Sequence, residues 1–570
     1  MKIRLLASLS CASLLAACSP AAGEIEVIEA PSRASWNPEA AYPGFTLINP
    51  LFSKKSILVD MSGTEVHSWT TSNSPSAATY LTERGTLLRC LDVDEHPIFR
   101  GGGQSGWIEE LDWDGELIWE FHWDSETGVN HHDVAELPGG NLLIIAWDRH
   151  TREEALAVGR DPELLEGEEL WPDAVYEIRP TRPKGGEVVW EWHSWDHLVQ
   201  NFDADAPNYA LPATRPERID VNGDRNIDPP SEEELAAEQK EMAAMGYAGD
   251  DSDDDEEEED AVADSEEEEE EEELSPEEQA KEASEKALKA RIKNADWMHT
   301  NGIDYNVALD QIAISIRRYD EIWIIDHSTT SAEAASSSGG RYGKGGDLLY
   351  RWGNPFAYGM GDWEDRTLLG QHHVQWIPEG QLGAGGLMVF DNGTKKERAW
   401  SVIREWWPAR DAQGNYVRQE DQPFGPQEES WTYTAEEPTD FFSTFISGVQ
   451  RQPSGTTLIC SGAQGWVFEV TPGGEVVWDW RNPYGMDLEV DEPRDESDSD
   501  ITPTAIFRAQ RYGSDHPGIL ALRERGASIP LDPGVGPATN QRIEPEEDEP
   551  EEEPEPEKEE EPEKEEEEND

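Results

Sequence analysis

Short apolar runs, each closed by a Gly, Pro or acidic turn, punctuate this chain, and helical periodicity is almost absent from it. One phrase recurs: "GELIWEF" at 115–121, "GEVVWEW" at 186–192, "GDLLYRWGNP" at 346–355 and "GEVVWDWRNP" at 474–483. Each is a Gly-acid turn followed by an apolar, β-branched or aromatic strand that ends on an aromatic ring. Similar strands precede them: "GWIEELDWD", "AVYEIRP", "EIWIIDHS" and "GWVFEVTPGG". A second phrase, strand, Pro/Gly turn, strand, occurs as "HHDVAELPGGNLLIIAW" at 131–147 and "HHVQWIPEGQLGAGGLMVF" at 372–390, with looser copies at 448–462 and 80–92. Repeating meanders of this kind predict an all-β fold of four-stranded blades set radially, a β-propeller. A β-sandwich or several small β domains is the alternative. The uneven spacing of the phrases leaves the blade number open.

Composition changes this picture in two stretches. Residues 250–273 hold 19 acids and the tail 541–570 holds 19 more. Such blocks repel themselves and have nothing to bury. The propeller is therefore expected over 40–228 and 294–525, split by an acidic, partly helical insertion at 229–293. A helix starting at Ser275 and Pro276 ends that insertion. A disordered Pro/Glu-rich tail is expected from 526 to 570. The formal net charge is −78, and the body remains acidic without the two blocks. That argues against nucleic acids and other polyanions as partners. An anionic substrate would need a local cluster of donors.

The N-terminus sets the compartment. Lys2 and Arg4 precede an apolar run, Leu5 to Ala17, which ends in Leu15-Ala16-Ala17-Cys18. This pattern reads as a secretory signal over 1–17 rather than a membrane span. Its ending resembles the lipobox of bacterial lipoproteins, which makes Cys18 the lipidated residue and 18–39 a linker. Ser19 after it implies the outer membrane, so the expected partner is a membrane reached through a lipid anchor. Cys90 and Cys460 then remain, either as one disulfide or as two buried free thiols.

Thirteen histidines are few for 570 residues, yet some fall at equivalent places in the repeat. His132 lies six residues before Pro138, and His372 six before Pro378. His299, in "DWMHTNGIDYN", precedes the strand "QIAISIR" that ends on Arg317, 18 residues later. The innermost strands of a propeller converge on its axis, so equivalent positions on different blades face one another there. The other histidines (His67, His96, His122, His150, His193, His197, His327 and His516) form no constellation.

"NHHDVAELPGGN", "DWMHTNGIDYN" with "ISIRRYDEIWIIDHST", and "GQHHVQWIPEG…MVFDNG" resemble, in that order, the signatures of the arylsulfate sulfotransferase family. The resemblance spans most of residues 40–520. It implies a six-bladed propeller that moves a sulfuryl group from an aryl sulfate donor to a phenolic acceptor, by a ping-pong route and without a cofactor. It makes His372 the sulfated nucleophile, His132 and His299 its supporting histidines and Arg317 the arginine of the site. His131, His373 and Asn301 are further substrate-binding candidates. Because both histidine positions are pairs, the nucleophile could slip by one residue.

The chemistry suits these residue types. An imidazole splits one difficult displacement into two, and a fixed guanidinium offsets charge on sulfonate oxygens. No metal is expected from the same histidines, since the arginine would repel it. "DVNGDRNID" at 220–228 has the alternation of a calcium loop, but Arg225 stands where that loop needs glycine and Ser231 where it needs glutamate. "FDNG" at 390–393 reads as a strand-ending turn. The alternatives to an enzyme are a binding or scaffold propeller of the envelope and, from the Trp-ended strands, a quinone-dependent or assembly-factor propeller.

Overall fold

In the computed structural model, residues 34–51, 53–70, 75–93, 96–226, 288, 291–485 and 502–534 are described. They form a six-bladed β-propeller of antiparallel four-stranded blades. Blade 1 joins the late strand Ile506–Gly513 to Gly44–Pro50, Lys55–Val59 and Glu65–Thr70. Blade 2 runs Pro75–Leu81, Leu87–Asp92, Gly106–Leu111, Leu117–His122. Blade 3 runs Gly128–Glu136, Leu142–Asp148, Asp173–Pro180, Gly186–His193. Blade 4 holds Thr300–Asn306, Gln311–Ile316, Glu321–Asp326 and Tyr350–Trp352. Blade 5 holds His372–Trp376, Leu387–Asp391, Val402–Trp406 and Trp431–Tyr433. Blade 6 holds Gly448–Arg451, Thr457–Ser461, Trp466–Val470 and Val476–Arg481. The first strand given for each blade lies at the axis and packs on its neighbours around the ring.

Two clasps close the ring. The inner strand of blade 1 comes from the C-terminal part of the chain, with Leu47 opposite Gln510. Ser35 and Trp36, in the stretch read as a linker, form a short fifth strand on blade 6, opposite Asp479 and Trp478. Beyond the expected propeller boundary, Ile529 is buried and the Pro533 carbonyl accepts from the Met61 amide.

The recurring Trp-ended strand now has a physical reason. In every blade a tryptophan of the outermost strand donates its indole N–H to the following blade. Trp69 reaches the Asp112 carbonyl (2.9 Å), Trp119 that of Gly185 (2.8 Å) and Trp190 the Thr329 hydroxyl (3.1 Å). Trp352 reaches Pro426 (2.9 Å), Trp431 reaches Pro472 (2.9 Å), and Trp478 returns to Met61 of blade 1 (2.9 Å). The apolar body of each ring fills the gap between blades while its polar edge is satisfied. At "GDLLYRW" the repeat shifts: Tyr350 stands where the other copies have Trp, its hydroxyl donates to Gly425 (2.8 Å), and Trp352 two residues on completes the contact.

Cys90 and Cys460 are both buried free thiols. Among the described residues no helix is long and apolar enough to cross a membrane. The signal, Cys18, the acid run, the start of the expected helix at Ser275 and the tail beyond Gly534 lie outside the described residues.

Candidate active site

The inner strands of blades 3, 4 and 5 each break their ladder at the same level. Register shifts fall between Asn130 and Val134, Thr300 and Gly302, and His372 and Gln375. His132, His299 and His373 have positive φ (56°, 55° and 57°), a left-handed conformation that a ladder position would not allow. These bulges turn histidine side chains toward the axis. His299 and Arg317 are backbone neighbours across the first hairpin of blade 4, for the Arg317 amide donates to the His299 carbonyl at 3.2 Å. Their spacing of 18 residues is thus the length of one hairpin.

The four residues expected to converge do so. The His132 and His299 rings meet edge to face, centroids 4.5 Å apart. Arg317 is close enough to His132, His299 and His372 to push all three toward the neutral form. Burial is the larger cause each time, and it holds His132 and His372 well below the usual imidazole range. For His299 burial is partly offset by the Asp296 carboxylate.

Each ring is held from behind. His372 Nδ1 lies 2.8 Å from Asn392 Oδ1 and 3.1 Å from the Gly370 carbonyl. Asn392 spends its amide hydrogens on the Ser443 and Ile446 carbonyls (2.7 and 3.2 Å), which fixes its oxygen toward His372. Both groups facing Nδ1 are acceptors, so Nδ1 carries the proton and Nε2 keeps its lone pair. Among the described residues nothing hydrogen-bonds Nε2. His299 Nδ1 donates to Asp296 (2.5 Å), whose other oxygen accepts from Trp147 Nε1 (3.0 Å). Burial raises the Asp296 carboxyl, but His299 and Arg318 outweigh it and hold it down to about 2.

His132 Nδ1 lies 2.8 Å from His131 Nδ1, and His131 Nε2 lies 3.1 Å from Asp173. His131 Nε2–H donates to Asp173, so His131 Nδ1 accepts from His132 Nδ1–H and His132 Nε2 carries no proton. The Thr300 amide and hydroxyl also donate to Asp173, tying blade 3 to blade 4.

The three further candidates stand behind this cluster rather than in it. His131 is fully buried, stacked on Trp147 with centroids 4.3 Å apart, and both its ring nitrogens are engaged. His373 Nδ1 accepts from the Val449 amide (3.0 Å), and its ring is turned toward blade 6. Asn301 is buried and donates to the Gln371 carbonyl (2.8 Å). Sequence reasoning missed Asp296, Asp173 and Asn392. Asp296 sits three residues before His299 in the quoted motif, a usable signal. Asn392 lies in the "FDNG" turn, which does end its strand and also holds His372. Asp173 has no local signal.

Elsewhere the calcium-like loop is spent on the protein itself. Asn222 bridges the Asp161 amide and the Gly159 carbonyl, and Asp224 pairs with Arg160. Among the described residues no three His, Cys, Asp or Glu side chains are grouped to hold a metal ion. His193, His197 and His327 sit with single or paired carboxylates, Asp148, Asp347, and Glu177 with Asp310.

The family model for arylsulfotransferases (ASST) matches residues 35–477, all four converging residues included. The chain belongs to the arylsulfotransferase family. No curated protein matches it significantly. Among solved structures it is similar to a Bacteroides caccae protein of unknown function, 9% identical over 82% of this chain and 98% of that one, TM-score 0.37. A putative 6-phosphogluconolactonase of Bacteroides fragilis is 8% identical over 84% and 99%, TM-score 0.35. The periplasmic gluconolactonase of Pseudomonas aeruginosa is 10% identical over 77% and 96%, TM-score 0.32. Likenesses this remote carry nothing about activity. Arylsulfotransferase membership and the converging histidines are what bear on it.

Proposed function

We propose that this arylsulfotransferase-family protein moves a sulfuryl group from a phenolic sulfate ester to a phenol through a sulfohistidine at His372. The observation that carries this reading is the His372 ring itself, with Nδ1 clamped as a donor and Nε2 open beside Arg317. In the first half-reaction the Nε2 lone pair attacks sulfur and the sulfur–phenoxy oxygen bond breaks. The proton on Nδ1 stays with Asn392 and Gly370, so the sulfated ring is a cation balanced by its own sulfonate. Arg317 holds sulfonate oxygens as charge spreads over them.

In the second half the acceptor oxygen attacks sulfur and the sulfur–nitrogen pair returns to Nε2. His299 takes the phenolic proton, and Asp296 stabilises the imidazolium so formed. That proton leaves with the next donor's phenolate, which closes the cycle. His132, packed edge to face on His299, keeps that ring turned toward the acceptor. His131, His373 and Asn301 act as positioning residues. The lipobox supports a protein exported and anchored at Cys18 in the outer membrane.

Incubation with a chromogenic aryl sulfate and a phenol tests this. Release of the donor phenol is expected to depend on the acceptor and to be lost in His372→Ala, by at least a thousandfold as for other essential nucleophiles. Release unchanged in that variant would place the nucleophile elsewhere. A wild type without any transfer would leave a binding propeller.

A further inference from the structure

Between the second and third strands of blade 2, residues 96–105 cross onto blade 3 and lie over the histidines. Phe99 anchors it, buried between Trp147 and Trp171, with ring centroids 6.2 and 4.7 Å away. Three glycines follow, Gly101, Gly102 and Gly103. The strap is then fastened again. The His132 amide donates to the Gly103 carbonyl (2.7 Å), Gln104 bridges to His131, and the Ser105 amide donates to Asn130 (3.0 Å).

The three glycines differ in what a side chain would meet. At Gly103 φ is +72°, and a Cβ would fall 2.3 Å from His132 Nε2, so only bare backbone lets that ring keep its place. At Gly101 a Cβ would touch Trp147 at 3.1 Å. Gly102 has a backbone that L residues adopt, and its Cβ would meet only His299 Cε1, at 3.6 Å. Beyond that ring edge a side chain at 102 would point into open space beside the proton carrier. On the other side of the site a Cβ at Gly370, where φ is +64°, would meet only Arg317 Nε, at 4.0 Å.

We propose that the Gly101–Gly103 strap is the wall that limits the size of the aryl group, with Gly102 as the specificity-determining position. The inference rests on the sulfuryl-transfer reading. A wall of bare backbone, pinned at both ends, leaves a slot for a flat ring against His299, and each atom added at position 102 narrows it. Gly103 has another task, which is to let His132 approach.

The test compares wild type, Gly102→Ala, Gly102→Val and Gly103→Ala with a one-ring donor, 4-nitrophenyl sulfate, and a fused two-ring donor, 4-methylumbelliferyl sulfate, with phenol as acceptor. Both Gly102 variants are expected to keep the wild-type circular dichroism. They should lose at least tenfold more kcat/KM for the two-ring donor than for the one-ring donor, with the larger loss in Val. Gly103→Ala should lower kcat for both donors alike. Equal losses for both donors in Gly102→Ala and Gly102→Val, with an active wild type, would overturn the specificity role alone. An inactive wild type with either donor would overturn the reading beneath it as well.

Discussion

The decisive residue-scale question is which nitrogen of His372 is free, and Asn392 answers it. A side-chain amide locked by two carbonyls presents oxygen and nothing else, so the imidazole must present N–H in return. Asn392→Ala should leave the ring free to turn or change tautomer, lowering kcat by about ten- to a hundredfold with little change in KM. The pH profile separates this from a merely structural loss. Burial and then Arg317 hold His372 well below the usual range, so the neutral nucleophile survives as pH falls through about 6.5, the ordinary imidazole value. The acid limb of the donor half-reaction should therefore lie below that value. In Asn392→Asp a carboxylate facing Nδ1 stabilises the imidazolium and should move the limb upward. Identical limbs in the two proteins would count against the assignment.

Among the elements, the blade is the unit, and its weak points are the gaps between blades. The six tryptophan contacts span these gaps, each joining an outer strand to the next blade. Trp119→Phe keeps most of the buried ring but strands the Gly185 carbonyl, and should cost about 1 kcal/mol. Trp119→Ala empties the gap and should cost about 3–5 kcal/mol. Denaturant melts of the two variants check the ratio, and equal costs would mean that the hydrogen bond rather than the ring's packing carries the contact. The inner strands show the opposite device. There the backbone turns left-handed at His132, His299 and His373, so that ladder regularity gives way to the side-chain placement the site needs, with His132 and His299 brought ring to ring.

On the scale of the whole molecule, the chain carries a formal net charge of −78, yet its site has to accept an anion. Long-range repulsion should slow the arrival of an aryl sulfate, and salt should relieve it. We expect kcat/KM for the donor to rise between roughly 10 and 200 mM salt, over which the Debye length falls from about 30 Å to below 8 Å. The KM of the neutral phenolic acceptor should stay flat over the same range. A donor rate that falls with salt would show that attraction by Arg317 and its neighbours outweighs the field of the body.

What the chain alone determined is periodic or local. The Trp-ended phrase, the turn spacing before Pro138 and Pro378, and the 18-residue hairpin from His299 to Arg317 are each written in consecutive residues, because strands and hairpins are short-range structures. Those patterns gave the propeller class and, joined to the family resemblance, the cluster, with each paired histidine placed to within one residue. Tertiary structure alone decided the rest. Asp173 comes to His131 from across its blade, Asn392 reaches His372 from a turn of its own blade, and the glycine strap reaches His132 and His299 from blade 2. Likewise only folding moved His131, His373 and Asn301 behind the site, since a bulge in each inner strand decides which of two adjacent histidines faces the axis. A proton's position on a ring depends on which acceptor folding brings behind it, and no pattern along the chain records that.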